Sequence, residues 1–140
     1  VIRPTAIVTA LVLGLSQVQA GEIFTGVVTH VRDGDTIVVG KQPIRLDGVH
    51  APEMRDDGGP EARAFVIDLV GGKAVSCDPM GSETYDRRVA VCYLDGEDIG
   101  RALIRAGLAR DCPRYSKGRY ADDEQADAAR FGLPGYCKRR

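Results

Sequence analysis

Apolar and polar positions along this chain change rhythm several times. Ala6 to Leu15 is an apolar run broken only by Thr9 and Gly14. From Glu22 to Val31, Phe24, Val27, Val28 and Val31 stand among threonines, a β-rich stretch. Asp33-Gly34-Asp35 supplies turn chemistry and Thr36 to Val39 resumes the strand. An Asp-Gly pair between two such runs predicts a hairpin. Ile44 to Val49 reads as a third strand.

The period then shifts. Pro60-Glu61 opens a helix, with proline suited to its first position and the carboxylate to its positive end. Ala62, Phe65, Val66 and Leu69 fall at i, i+3, i+4 and i+7 as one buried face, and Gly71-Gly72 ends it. Lys73 to Cys77 and Arg88 to Leu94 read as another strand pair, followed by the Asp95-Gly96 turn. A second helix starts at Asp98 as cap, with Ile99, Ala102, Leu103 and Ala106 as core face and Gly107 closing it. Tyr120 to Phe131, acidic and alanine-rich, reads as a third. Strands, a helix, strands and two helices give an α+β chain, and a five-stranded β-barrel of the OB type with three helices fits that order.

The apolar run at the start stands apart from this pattern. Arg3 precedes it and the small-residue ending Val18-Gln19-Ala20 follows, the arrangement of a secretory signal peptide over residues 1–20. The run is too short to span a bilayer, which needs about 20 apolar residues. Residues 21–140 then form the folded domain, expected to be exported to the periplasm or the medium, with no membrane anchor after processing and acting as a monomer.

Export changes the reading of the cysteines. Cys77, Cys92, Cys112 and Cys137 leave no odd thiol, and no C-x-x-C pair exists to hold structural zinc. In an oxidising compartment two disulfides are their natural use. Sequence-local pairing, Cys77 with Cys92 and Cys112 with Cys137, would close loops of about 15 and 25 residues, each stabilising by roughly 3 kcal/mol.

Charge gives no general footprint for nucleic acid. Residues 21–140 carry 18 basic and 20 acidic side chains, so a uniformly basic binding surface is excluded. The distribution is uneven, however. Arg101, Arg105, Arg110, Arg114, Lys117 and Arg119 face Asp111 alone over that stretch, a run able to meet phosphates or simply to form a solvated face.

Three segments concentrate chemistry. Asp33-Gly34-Asp35-Thr36 is a tight turn that can also offer hard oxygen ligands to a cation. In Ile44 to Glu53, Arg45 lies inside an apolar strand, so it must meet an anion. That anion is either a bound phosphate or a carboxylate such as Asp47, two residues on along the same strand face. Glu53 follows Pro52 at the strand exit, where it can face a cleft. In Glu83 to Val91, Arg87 stands at the entrance to another apolar strand.

Together these segments resemble the staphylococcal nuclease (thermonuclease) family, whose pattern runs DGDT, then R-L-x-G-[ILV]-D-A-P-E, then D-x-Y-G-R. The matches are Asp33 to Thr36, Arg45-Leu46 with Gly48-Val49 and Ala51-Pro52-Glu53, and Tyr85 with Arg87. Leu103 to Ala109 resembles a later family run, and Tyr120 with Glu124 its last helix, so the likeness covers about Gly21 to Gly132. The resemblance implies a metal-dependent endonuclease acting on DNA or RNA. Asp35 would ligate the metal, with Ala51 contributing its carbonyl and Asp33 in support. Glu53 would activate water, Arg45 and Arg87 would clamp the scissile phosphate, and Tyr85 would contact the nucleotide.

The chain departs from the family where His50 replaces a second aspartate ligand. Three consequences stay open: weak binding of Ca2+ through Asp35 and Ala51, use of Mn2+ or Zn2+ with His50 as a nitrogen ligand, or loss of catalysis with phosphate binding retained. Asp86 replaces a glycine and can pair with a neighbouring arginine. The competing readings are therefore a secreted nuclease, a catalytically impaired OB-fold module binding nucleic acid or another anionic ligand, and an interaction domain using its arginines as internal ion pairs.

Overall fold

The computed structural model describes residues 21–140, so the expected leader at 1–20 lies outside the described residues. Eight strands and three α-helices follow in the order β1 (Phe24–Asp33), β2 (Thr36–Val39), β3 (Gln42–Leu46), β4 (Val49–His50), α1 (Gly59–Val70), β5 (Ala74–Thr84), β6 (Arg87–Leu94), β7 (Glu97–Asp98), α2 (Ile99–Arg105), β8 (Arg110–Asp111) and α3 (Pro113–Ser116). Two 3-10 turns, Ala126–Phe131 and Gly135–Cys137, complete the chain.

The architecture is α+β. The sheet order β3-β2-β1-β5-β6-β7 is antiparallel throughout, and a parallel pairing of β3 with β6 joins its ends. Five strands, β1, β2, β3, β6 and β5, thus form a ring, consistent with the OB-type arrangement expected. Val28, Val31, Ile37, Ile44, Leu46 and Val75 fill its interior. Helix α1 closes one side with Ala62, Val66 and Val70, while Phe65 and Leu69 pack partly buried beside them. The disulfides join Cys77 to Cys92 across β5 and β6, and Cys112 to Cys137 between the start of α3 and the C-terminal turn.

The expected third strand, Ile44 to Val49, is interrupted. Gly48 adopts φ +72°, and any Cβ there would press within 2.6 Å of the Ser116 Cβ, so the chain turns sharply between β3 and β4. Helix α2 starts where expected, with the Asp98 carboxylate accepting from the Arg101 backbone N–H at 3.1 Å. It ends at Arg105, so Ala106 lies past its last turn and is exposed, and Ile104 takes that place in the core.

The third helix, expected over Tyr120 to Phe131, does not form as one. A single turn at Pro113–Ser116 precedes it, and regular structure returns only as the 3-10 turn at Ala126–Phe131. The stretch lacks a continuous apolar face, and its polar residues are committed singly to other elements. Tyr120 is buried and donates to Asp98 at 2.8 Å, Asp123 accepts from Arg101 and Arg105, and Glu124 accepts from Arg110.

Candidate active site

The β1–β2 turn places Asp33 and Asp35 at one mouth of the strand ring. Gly34 between them is a packing requirement, since a Cβ would come within 2.7 Å of Ala51 Cβ and 2.8 Å of Ala62 Cβ. The turn therefore lies flush against α1 and the segment after β4. Asp35 is only 7% exposed. Its Oδ2 accepts the Ala51 N–H at 2.9 Å, and Asp33 Oδ1 accepts the Asp35 N–H at 3.1 Å. Burial, and then the adjacent charge of Asp35, push the Asp33 carboxyl up to about 6.

Arg45 sits near the end of β3, opposite Thr36 on β2 and Val89 on β6. Its Nη2 lies 3.2 Å from Asp35 Oδ2, while Nη1 donates to the carbonyls of Leu46 at 2.9 Å and Val49 at 2.7 Å. The buried anion that Arg45 requires is thus Asp35. Asp47, the alternative, lies beyond the strand end and accepts instead from Arg119 at 2.7 Å.

Arg87 opens β6, and its Nη1 donates to the Thr36 hydroxyl at 3.1 Å. The same hydroxyl donates to Asp35 Oδ1 at 3.3 Å. Thr36, fully buried, therefore links the carboxylate of the turn to the second guanidinium. In the sequence Thr36 stands at the end of the Asp33–Thr36 motif with no chemistry of its own attached. Its signal was a threonine placed inward on a strand directly across from Arg45. Asp86 pairs not with Arg87 or Arg88 but with Arg32, at 3.0 Å, leaving both neighbouring guanidiniums free of it.

Glu53 is exposed on the loop after β4, and Gly59 packs against its carbonyl so closely that no side chain fits there. Tyr85, at φ +57°, stands 93% exposed, with the Arg87 guanidinium 5.7 Å from its ring centre. Asp33, Asp35, Arg45, Glu53, Tyr85 and Arg87 all line one cavity of about 680 Å³. His50 and Ala51 do not line it. The His50 imidazole Nδ1 lies 3.4 Å from the Tyr136 hydroxyl, and burial, followed by the Arg45 charge, lowers its pKa. Tyr115 and Tyr136 also line the cavity and were not foreseen as site residues. The Cys112–Cys137 bond brings the latter there.

Two arginines, Arg45 and Arg87, and five acidic residues, Asp33, Asp35, Asp47, Glu53 and Glu83, line this open cleft on an α+β strand ring, which can offer guanidiniums to a phosphate and carboxylates to a cation. The chain belongs to the staphylococcal nuclease family: the family model described as staphylococcal nuclease homologue matches residues 43–133. It is 35% identical over 107 residues to the succinoglycan biosynthesis protein ExoI of Rhizobium meliloti (strain 1021), covering 68% of this chain and 56% of that protein. It is 35% identical over 96 residues to an uncharacterized endonuclease of Escherichia coli O157:H7, covering 65% of this chain and 63% of the other. A probable staphylococcal-like nuclease, CAN1 of Oryza sativa subsp. japonica, is 28% identical over 102 residues, covering 71% of this chain and 31% of that protein. The chain thus spans less than two thirds of the length of each of these relatives.

Proposed function

We propose that this protein is an exported, metal-dependent nuclease that hydrolyses phosphodiester bonds of DNA or RNA at this cavity. The carrying observation is the convergence of Asp33, Asp35, Arg45, Glu53 and Arg87, from four separate stretches of chain, on one open cleft. Glu53, exposed at the rim, takes a proton from the attacking water. As the water oxygen bonds to phosphorus and the ester P–O bond breaks, negative charge grows on the phosphoryl oxygens. Arg87 and Arg45 stabilise that charge with their forked N–H groups. Arg87 is the freer of the two, since its side-chain bonds are to Thr36 Oγ1 and, at 3.4 Å, to the Thr84 carbonyl.

Among the described residues no group of three or more acidic, histidine or cysteine side chains gathers for a metal, so a hard cation would rest on two carboxylates and on water or phosphate oxygens. Two carboxylates share a partly buried site, and burial first, then the neighbouring Asp35 charge, raises the pKa of Asp33. Asp35 and Asp33 would hold the ion, with the Ala51 carbonyl in support and water or phosphate oxygens completing the shell. The oxygen donors suit Ca2+, while the His50 imidazole, whose Nδ1 lies 3.4 Å from the Tyr136 hydroxyl, would admit Mn2+ or Zn2+. Such a cation supplies Lewis-acid polarisation of the phosphate.

Export is supported by the two disulfides and by the leader pattern of residues 1–20, with residues 21–140 as the mature domain acting as a monomer. Among the described residues no helix is long and apolar enough to cross a membrane.

One observation favours the second reading, an impaired module that binds anionic ligands without cutting them. Both N–H groups of Arg45 Nη1 are spent on backbone carbonyls and Nη2 on Asp35, which makes Arg45 as much a structural clamp as a phosphate ligand. Incubation with plasmid and single-stranded DNA in calcium, manganese, zinc or chelator separates the readings. The nuclease reading expects metal-dependent cleavage that falls about 100-fold or more in Glu53→Gln and in Arg87→Ala. Cleavage in chelator, or cleavage indifferent to both substitutions, overturns the mechanism. Retained binding with no cleavage in any metal establishes the second reading.

A further inference from the structure

The basic run from Arg101 to Arg119 is sorted by the fold into paired and free cations. Arg101 and Arg105 both pair with Asp123, Arg110 pairs with Glu124 and Arg119 with Asp47. Arg114 and Lys117 have no such partner among the described residues, and both are exposed. They are joined by two cations from the far end of the chain. Pro113, Arg114, Lys117, Arg139 and Arg140 line a second cavity of about 440 Å³ with no acidic side chain in its wall. Arg139 and Arg140 are likewise exposed and unpaired among the described residues. Two distant sources of charge thus meet because Cys137 is bonded to Cys112, the residue immediately before α3.

The position of this cluster matters as much as its sign. Cys112 and Tyr115 line the first cavity, while Pro113, Arg114 and Lys117 line the second. The single turn of α3 is therefore the wall between them, about 6 Å of helix at 1.5 Å per residue. Each strand of a DNA duplex carries a phosphate about every 3.4 Å of helix axis, and an extended single strand spaces them more widely. A strand lying in the first cavity would pass its next few phosphates over this cluster. Asp111 feels the Arg139 charge, but it is buried and does not line the hollow. In a chain of net charge −1, four unpaired cations in one hollow need a reason.

We propose that Arg114, Lys117, Arg139 and Arg140 form a second anionic subsite, tethered by the Cys112–Cys137 disulfide, that holds flanking phosphates of a nucleic acid strand whose scissile bond lies in the first cavity. This rests on the nuclease reading for the direction of the strand, but the subsite itself is a separate group of residues. It makes the protein a binder of strands rather than of short fragments.

The test is binding, read by fluorescence anisotropy in chelator so that no cleavage intervenes. The probes are a single-stranded DNA of about 20 nucleotides and a trinucleotide, each titrated over a range of salt. For the long strand, Arg139→Ala/Arg140→Ala should reduce the slope of log affinity against log salt by about 1.4, two cations at about 0.7 each. The advantage of the long strand over the trinucleotide should shrink with it, and Arg139→Lys/Arg140→Lys should restore both. Both residues lie beyond the last disulfide and are exposed, so the fold does not depend on them. An unchanged slope overturns the subsite. So does a double variant that weakens binding to anionic phosphatidylserine vesicles while leaving the strand unaffected, since the hollow would then serve a membrane surface. Cleavage by the wild type with metal restored reports separately on the nuclease reading. Cleavage with an unchanged slope removes the subsite alone, and a reduced slope without cleavage leaves the subsite standing and removes the nuclease.

Discussion

Replacing Thr36 by valine removes one hydroxyl while keeping the shape of the side chain, and it isolates the link between the two halves of the site. That hydroxyl accepts from Arg87 Nη1 at 3.1 Å and donates to Asp35 Oδ1 at 3.3 Å, in a position with no solvent exposure. Hydrogen bonds to charged groups contribute about 1.5–3 kcal/mol each. The Asp35 contact is the longer, and the Arg87 side chain borders an open cavity where water can replace part of the loss. A total of about 2 kcal/mol is therefore expected, or roughly 8 °C in melting temperature for a domain of this size. Thr36→Ser keeps the hydroxyl and removes one buried methyl, at a cost of about 1 kcal/mol. Activity should separate the pair further. Valine frees Arg87 to swing, so kcat should fall about tenfold or more while serine stays close to wild type. Thermal melts in chelator and steady-state cleavage of a single-stranded substrate provide both readings. Valine and serine variants equal in melting temperature and in kcat would show that Thr36 merely fills space.

Three further outcomes follow from the same geometry. Arg45→Ala should destabilise by about 3–5 kcal/mol, because it leaves Asp35 buried without its cation, whereas Arg87→Ala should cost about 1 kcal/mol; chemical denaturation distinguishes them, and equal losses would contradict the pairing. Asp33 holds its proton more tightly when folded, at about 6 against an ordinary 3.8, so its contribution to stability is complete below about pH 4 and is lost as pH rises through about 6. Melts in chelator at pH 4.5 and 7 should therefore show a decline that Asp33→Asn reduces, and an identical decline in the variant would refute the assignment. His50→Asp should raise the calcium-dependent cleavage rate, and a calcium titration showing no gain would mean that the segment after β4 does not serve the metal.

The strand ring was legible because its signals are local. An Asp-Gly turn between β-rich runs, a Pro-Glu helix start and a Gly-Gly stop each act over a few residues, and the structure honours each. The third helix was not legible for the opposite reason. Tyr120, Asp123 and Glu124 have helix-compatible spacing, but they are drawn to Asp98, to Arg101 and Arg105, and to Arg110, elements 14 to 22 residues away. Tertiary partners decide a segment whose own apolar face is too weak to do so. The same holds for the basic run, where six like charges in sequence conceal four ion pairs and two cations without an acidic partner among the described residues.

Arg45 shows how far a correct physical argument from sequence can reach before geometry must finish it. A charge inside an apolar strand demands an anion, and that demand is met. Strand alternation nominated Asp47, on the premise that the strand continued beyond Leu46. Gly48 breaks that premise, since its left-handed backbone ends β3 and sends the Asp47 carboxylate to Arg119. The partner comes instead from the turn before β2, where the Asp35 carbonyl accepts the Leu46 N–H at 2.9 Å and so brings the Asp35 carboxylate beside Arg45. Asp35 is also the carboxylate best placed for a cation. The pairing therefore couples the two charges the chemistry needs. Arg45 is held in place from both sides, by the Asp35 carboxylate and by the carbonyls of Leu46 and Val49, so the charge demanded by the apolar strand is satisfied within the fold itself.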